Sequence, residues 1–481
     1  MKKCTIIILS IIMLASCTTS VNNAVQTNID ISIYPDYKDV TIPCNIAPIN
    51  FSVADTLQAD ALVISANGDT LTTGISNGCV DIPIKRWRAF LADKAGSSLT
   101  FTICRKTNEE WLAYKPFNVG VSADSIDKTL VYRLIPPGYE IWNRMGIYQR
   151  DLETYNEQAI YENRYGKGNC VNCHSFCSNS PDKMMMHVRV NIAGTYVFSN
   201  DTTSKVEGDF SKFNAGPTYP YWHPSGQFIA FSLNKIFQDF HTADPNIIEV
   251  YDDVSDVIVF DLENKAIISS PLTCATNAFE TLPCFSPDGK WLYFCSSQAF
   301  DSVRYNYKNA HYSICKIEFD AETKQIGKIV DTIVNAAAMG KSASFPRISP
   351  DGRFLLYTLS DYGNFSIWHH ESDLKMIDLQ TGDSISTNQI NSSRTESYHS
   401  WSSNSRWIVF SSRRGDGLHT RPYFAHVNAD GTFSKPMLLP QRNPQEYYRE
   451  LFYSYNIPEL VKSEVTLSAR RTDIMIRKMQ Y

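Results

Sequence analysis

Pro283-Cys284-Phe285-Ser286-Pro287-Asp288-Gly289-Lys290-Trp291-Leu292-Tyr293-Phe294 decides the fold of this chain. It returns as Pro346-Arg347-Ile348-Ser349-Pro350-Asp351-Gly352-Arg353-Phe354-Leu355-Leu356-Tyr357. A variant runs Tyr221-Trp222-His223-Pro224-Ser225-Gly226-Gln227-Phe228-Ile229-Ala230-Phe231-Ser232. Ser400-Trp401-Ser402-Ser403-Asn404-Ser405-Arg406-Trp407-Ile408-Val409-Phe410 is a degenerate copy, and Gly194-Thr195-Tyr196-Val197-Phe198 a truncated fifth. The turn glycines fall at 226, 289 and 352, two equal steps of 63 residues. Each copy reads as strand, turn, strand. Proline presets φ at the first corner, and glycine takes the positive φ the turn needs.

Further strand-like runs follow the copies, such as Val257-Ile258-Val259-Phe260-Asp261-Leu262 and Lys375-Met376-Ile377-Asp378-Leu379. Three or four strands in a period of roughly 50–65 residues match one blade of a β-propeller. Tandem β-sandwiches are the competing arrangement. Over about residues 187–440 the Ser-Pro-Asp-Gly turns resemble the repeats of TolB-like β-propeller lipoproteins of Gram-negative, Bacteroidetes-like bacteria. The resemblance implies a mainly β chain with six blades. The last two would come from residues 187–215 and from the C-terminal segment 441–481, closing or packing on the propeller.

Before the repeat, residues 28–130 carry short alternating runs, such as Ile49-Asn50-Phe51-Ser52-Val53 and Leu99-Thr100-Phe101-Thr102-Ile103, separated by turn residues. Such spacing predicts an N-terminal β-sandwich of the immunoglobulin or fibronectin kind. Cys44, Cys79 and Cys104 fall there, enough for one disulfide in an oxidising compartment. At the start, Lys2 and Lys3 precede an apolar run too short to span a bilayer, ending in Leu14-Ala15-Ser16-Cys17. This resembles the lipobox of bacterial lipoproteins. It implies a signal peptide over 1–16, lipidation of Cys17 and a tether over 17–27. Thr18 in place of Asp favours the outer membrane, and the lack of a following acidic cluster favours its periplasmic face. The 481 residues carry a formal charge of −5, with 43% hydrophobic and 20% charged residues. That balance excludes a disordered polyelectrolyte and gives no electrostatic footprint for nucleic acid.

Residues 131–186 are expected to connect the two domains. Asp151–Arg164 lacks proline and glycine and predicts a short helix capped by Asp151. Cys170-Val171-Asn172-Cys173-His174 follows and matches the attachment motif of c-type haem. In that chemistry Cys170 and Cys173 form the thioethers and His174 is the proximal iron ligand, with Met184, Met185, Met186 and His187 as distal candidates. Two alternatives stay open: zinc held by Cys170, Cys173 and Cys177 with His174 or His187, and a disulfide staple among the three thiols. The methionine run also reads simply as core filling at the start of a strand.

Loops at one mouth of a propeller converge, so distant residues can meet there. His223, His241, His369, His370, Glu371, His399 and Arg421 form a candidate mouth site for a divalent cation, a glycan or a small-molecule anion. Neither His-Glu-x-x-His nor Gly-x-Ser-x-Gly occurs, and no phosphate-binding glycine loop, so no catalytic residue is assigned. The expected role is non-enzymatic. A membrane-anchored propeller would bind an envelope protein partner, and covalent haem would add electron transfer or sensing. A haem-free interaction scaffold and a glycan-binding or enzymatic propeller are the alternatives.

Overall fold

The computed structural model describes residues 21–54, 57–108, 110–136, 144–166, 168, 170–200, 202–213 and 215–479. The signal segment and Cys17 lie outside the described residues. Among the described residues, no helix is long and apolar enough to cross a membrane.

Among the described residues, six four-stranded antiparallel sheets form from Thr129 onward. Five are simple meanders whose first strands are Val171–Phe176, Gly216–Trp222, Ala278–Phe285, Ser342–Ile348 and Glu396–Trp401. The sixth is made from both ends of this region. Ser454–Val461 pairs with Thr129–Ile135, which pairs with Gly146–Asp151 and then Glu157–Glu162. Val171–Phe176 touches Gly216–Trp222, and contact passes from each first strand to the next, through Ser454–Val461 and back to Val171–Phe176. The architecture is mainly β and propeller-like.

Residues expected as a helical connector are therefore strands of this ring. Asp151 does not cap a helix: its Oδ1 accepts the Glu153 amide at 2.8 Å and closes a turn, while its own amide donates to Asn156 O. Ile160 and Tyr161 are then buried in the hairpin strand Glu157–Glu162. The absence of helix breakers was outweighed by an Asx turn that lets the strand join a sheet.

The quoted turns join the first and second strands of their sheets. Ser286 Oγ donates to Asp288 Oδ1 at 2.5 Å, and the Ser349–Asp351 and Ser402–Asn404 pairs repeat the bond at the same distance. Gly226, Gly289 and Gly352 have φ of +69°, +74° and +79°, which glycine tolerates without a Cβ penalty.

Residues 25–121 form a ten-stranded sheet, with the helix Ile84–Leu91 packed on it through buried Trp87 and Leu91. Its core, including Phe51, Phe101 and Phe117, is continuous with Trp407, Val409 and Phe424 of the ring. Polar bonds seal the junction: Trp407 Nε1 donates to Asp124 O at 3.0 Å, and His426 Nε2 lies 2.8 Å from Asp124 Oδ2.

Candidate functional site

Every inner strand breaks register at the same place. The shifts lie between Val171 and His174, Thr218 and Tyr221, Thr281 and Cys284, Ser344 and Arg347, and Ser397 and Ser400, with the matching irregularity of Ser454–Val461 between Asn456 and Glu459. A bulge re-aims the side chains beside it. Tyr219, Leu282, Phe345, Tyr398 and Ile457 take positive φ at the first bulged position, whereas Asn172 does not. Proline follows in four strands, and Cys173 and His399 replace it in the other two. One residue further on, the register aligns His174, Tyr221, Cys284, Arg347, Ser400 and Glu459.

Five of these six line two adjoining cavities along the ring axis. A funnel of about 250 Å³ opens on the turn side, walled by Tyr221, Trp222, Phe285, Trp401, Arg347 and Glu459, with Lys462 at its rim. A constriction of about 40 Å³ lies beside it, walled by Cys173, His174 and His399 and sharing Arg347, Ser400 and Glu459 with the funnel. Both residues are buried; among the described residues neither ring nitrogen of His174, nor His399 Nδ1, makes a well-aligned hydrogen bond, although the backbone of Val131 and Ile457 approaches His174 and that of Phe345 approaches His399. Burial, helped by Arg133 for His174 and by Arg347 for His399, lowers both imidazoles to about 3, so they are neutral donors and acceptors. Burial pushes the Glu459 carboxyl up to about 8, against the pull of Arg347. Its Oε2 accepts a hydrogen bond from the Phe176 amide at 3.0 Å. The Arg347 guanidinium lies 5.0 Å from the Tyr221 ring centre and donates to Pro346 O, and it forms no ion pair among the described residues.

The haem-attachment motif is part of this ring, and its placement does not fit haem. Cys170, Cys173 and His174 are buried in or beside an inner strand hydrogen-bonded within its sheet, and the adjoining space is about 40 Å³. Met186 is the direct cross-strand partner of His174, which sets their Cβ atoms about 5 Å apart and leaves no room for a macrocycle between two axial ligands. Met184 and Met186 fill one side of the sheet with Val171 and Phe176, and Met185 fills the other beside Trp222. His187 Nδ1 is bonded to Thr195 Oγ1 at 2.9 Å. The zinc alternative finds no geometric support, since no group of three or more His, Cys, Asp or Glu among the described residues is placed to hold a metal ion. Cys170, Cys173 and Cys177 are free thiols, as are Cys44, Cys79 and Cys104.

The expected mouth site is dispersed. In an antiparallel meander the first turn and the following loop lie at opposite ends of the sheet. His223 sits at a turn, with Nε2 3.1 Å from Gly289 O and its ring among Phe228, Phe285 and Phe319. His399 lies mid-strand in the constriction. His241, His369, His370, Glu371 and Arg421 lie at the loop end, where Arg421 donates to Leu451 O and Tyr453 O.

Only His369, His370 and Glu371 come together, and they do so around Glu249. His369 Nε2 is 3.3 Å from Glu249 Oε2, and its Nδ1 is 3.4 Å from Glu371 Oε1. Tyr362 donates to Glu249 Oε1 at 2.5 Å, and Asn246 Oδ1 accepts from the His370 amide at 3.1 Å. Burial opposes charge on His369, but the two carboxylates outweigh it and raise the imidazole to about 9. The same imidazole outweighs burial at Glu371 and holds it at about 2. This clasp ties the long hairpin Phe228–Phe240/Ile248–Asp261 to loop 361–372 through Glu249, with His369 Nδ1 and Glu371 Oε2 left without a well-aligned hydrogen bond. Sequence reasoning singled out the clasp histidines but not Tyr362. It also passed over Arg347, although aligning the repeat copies already sets Tyr221, Cys284, Arg347 and Ser400 at one position.

No family model and no curated relative matches this chain. Similar solved structures include oligogalacturonate lyase from Vibrio parahaemolyticus, 11% identical over 60% of this chain and 85% of that one, with a TM-score of 0.34. Prolyl oligopeptidase B from Galerina marginata is 10% identical over 65% of this chain and 44% of its own, with a TM-score of 0.36. Dipeptidyl peptidase 4 from Porphyromonas gingivalis is 11% identical over 83% of this chain and 52% of its own, with a TM-score of 0.32. The chain thus spans about half the length of the two peptidases, and at these values no activity or residue role passes from any of the three to it.

Proposed function

We propose that this chain is a haem-free, ligand-binding β-propeller of the bacterial envelope, tethered by a lipid on Cys17 and facing the periplasm. The six four-stranded sheets are its blades, and the N-terminal sheet, bent about Asp69–Ser76, is a sandwich-like module docked on the ring's side. The observation that carries the reading is the turn-side funnel leading to buried His174 and His399, where both ring nitrogens of His174 and Nδ1 of His399 lack a well-aligned hydrogen bond. A buried polar group left unbonded is unfavourable by about 1–3 kcal/mol, and such groups mark sites that a ligand or ordered water completes. The loop-end clasp, by contrast, pairs Glu249 with His369 and Tyr362, and His369 with Glu371, within the fold, which weighs against a glycan or catalytic site there.

A thermal-shift screen of small molecules against the folded chain and its Lys462→Trp variant tests this. The variant lays an indole across the rim without touching the core, so ligands that raise the wild-type melting temperature are expected to lose their effect. Ligands that stabilise both proteins equally would place binding elsewhere. Radiolabelled palmitate incorporated into the wild type but not Cys17→Ala tests the anchor.

A further inference from the structure

The inference rests on the funnel being a ligand site and names what it takes. We propose that the funnel binds a small organic monocarboxylate, with the carboxylate innermost beside Arg347, His174 and His399 and the apolar body in the aromatic collar of Tyr221, Trp222, Phe285 and Trp401.

The charge balance points to an anion. Arg347 and Lys462 are the cations of the funnel wall, and neither forms an ion pair among the described residues. Glu459 is the one acid of that wall, and burial keeps it protonated at neutral pH. The remaining lining is serine, asparagine, proline and apolar or aromatic side chains, so the wall carries two cations against one acid, with Asp127 close to Lys462 outside the lining. A cationic ligand would meet repulsion there. Arginine's planar fork matches a carboxylate with two parallel bonds.

The hydrogen-bonding capacity agrees. A neutral imidazole carries one N–H and one acceptor nitrogen. His174 makes no well-aligned bond at either, although the backbone of Val131 and Ile457 lies close, and His399 lacks one at Nδ1 while Nε2 lies 3.0 Å from Leu356 O. With Nε2 donating to that carbonyl, His399 presents an acceptor, which a bridging water can serve, while His174 offers its N–H to the anion.

At about 40 Å³ the constriction admits a small group such as a carboxylate, and the wider funnel outside it takes the rest of the ligand. The funnel's 250 Å³ is just below the usual range of about 300–1,000 Å³ for small-molecule pockets, which limits the body to roughly one ring. Trp222 and Trp401 in the wall make occupancy visible by fluorescence.

The test titrates the full folded chain with 3-phenylpropionate and with its neutral amide, 3-phenylpropanamide, following intrinsic tryptophan fluorescence at pH 7. Saturable binding of the carboxylate is expected, with the amide weaker by about tenfold or more. Arg347→Gln is expected to weaken the carboxylate by about tenfold and erase the preference over the amide. Lys462→Gln, at the exposed rim, is expected to weaken it a few-fold in a protein of unchanged melting temperature, which keeps the test decisive if Arg347→Gln fails to fold. Equal binding of amide and carboxylate, no saturable binding of the carboxylate, or an unchanged affinity in both variants overturns the assignment. A neutral ligand whose stabilisation Lys462→Trp blocks would overturn the carboxylate while leaving the funnel as the ligand site.

Discussion

Adding one methyl group to each of three turn glycines separates what the repeat shares from what its surroundings impose. Gly226, Gly289 and Gly352 occupy the same turn with nearly the same φ, so alanine meets the same backbone strain, about 1–2 kcal/mol, at each. The space around them differs. A Cβ at Gly352 meets nothing within 4 Å, so backbone strain is the whole effect. At Gly226 the new atom would lie 2.8 Å from Lys183 Nζ, the far end of a flexible chain that donates to Gly226 O at 2.7 Å. Swinging that ammonium aside adds little, for a total of about 2 kcal/mol. At Gly289 the Cβ overlaps His223 Nε2 and lies 2.7 Å from its Cε1. His223 cannot retreat, because Phe228, Phe285 and Phe319 surround its ring at 4.9–5.6 Å. Overpacking of about 1–3 kcal/mol and loss of the His223–Gly289 bond, about 1 kcal/mol, then join the strain, for about 4 kcal/mol altogether. Equilibrium urea unfolding followed by tryptophan fluorescence measures the series, with the expected order of loss Gly352→Ala, Gly226→Ala, Gly289→Ala. Equal losses at all three, within about 0.5 kcal/mol, would refute the role assigned to His223.

Three further outcomes are expected. His369 is raised to about 9 from 6.5, so its contribution is complete below pH 6.5 and disappears as pH climbs through 9, whereas that of Glu371 is complete above 4.5 and disappears toward pH 2. The clasp is therefore strongest between those limits, and His369→Gln should flatten the fall in urea midpoint from pH 6.5 to 9; an unchanged slope would count against the clasp. Glu459 ionises near pH 8, while burial keeps Tyr221 and Cys284 protonated above their usual ranges and His174 and His399 stay neutral beside charged Arg347 and Lys462. Carboxylate affinity should accordingly drop between pH 7 and 9 in the wild type, and a Glu459→Gln variant that drops equally would exclude Glu459 as the cause. Expression beside a c-type haem maturation system should yield no covalent haem, with Cys170 and Cys173 both alkylated after denaturation; a pyridine haemochrome band on the purified chain would reverse that reading.

Much of the ring was legible because it is local chemistry repeated. Ser-Pro-Asp-Gly specifies a turn by proline's fixed φ, glycine's permissive one and a serine–aspartate bond, none of which needs a distant partner. Alternating apolar residues on either side supplied the strands. Asp151–Arg164 misled because helix propensity is a weak prior, and the pairing that made it a strand comes from the sheet that Ser454–Val461 completes. Cys170-Val171-Asn172-Cys173-His174 is ambiguous for a related reason: spacing alone cannot distinguish a haem loop from an inner strand whose bulge brings Cys173 and His174 to the ring axis.

The sequence by itself determined the repeated turns, the strands flanking them and a period of three or four strands, since these depend on φ preferences and side-chain alternation within a few residues. Tertiary structure alone decided which residues share a site. It sent His223 to one end of the ring and His369 to the other, because antiparallel strands put successive connections at opposite ends. It gathered Arg347, Glu459 and His174 from three sheets onto one axis, where burial favours a neutral imidazole and a protonated carboxyl.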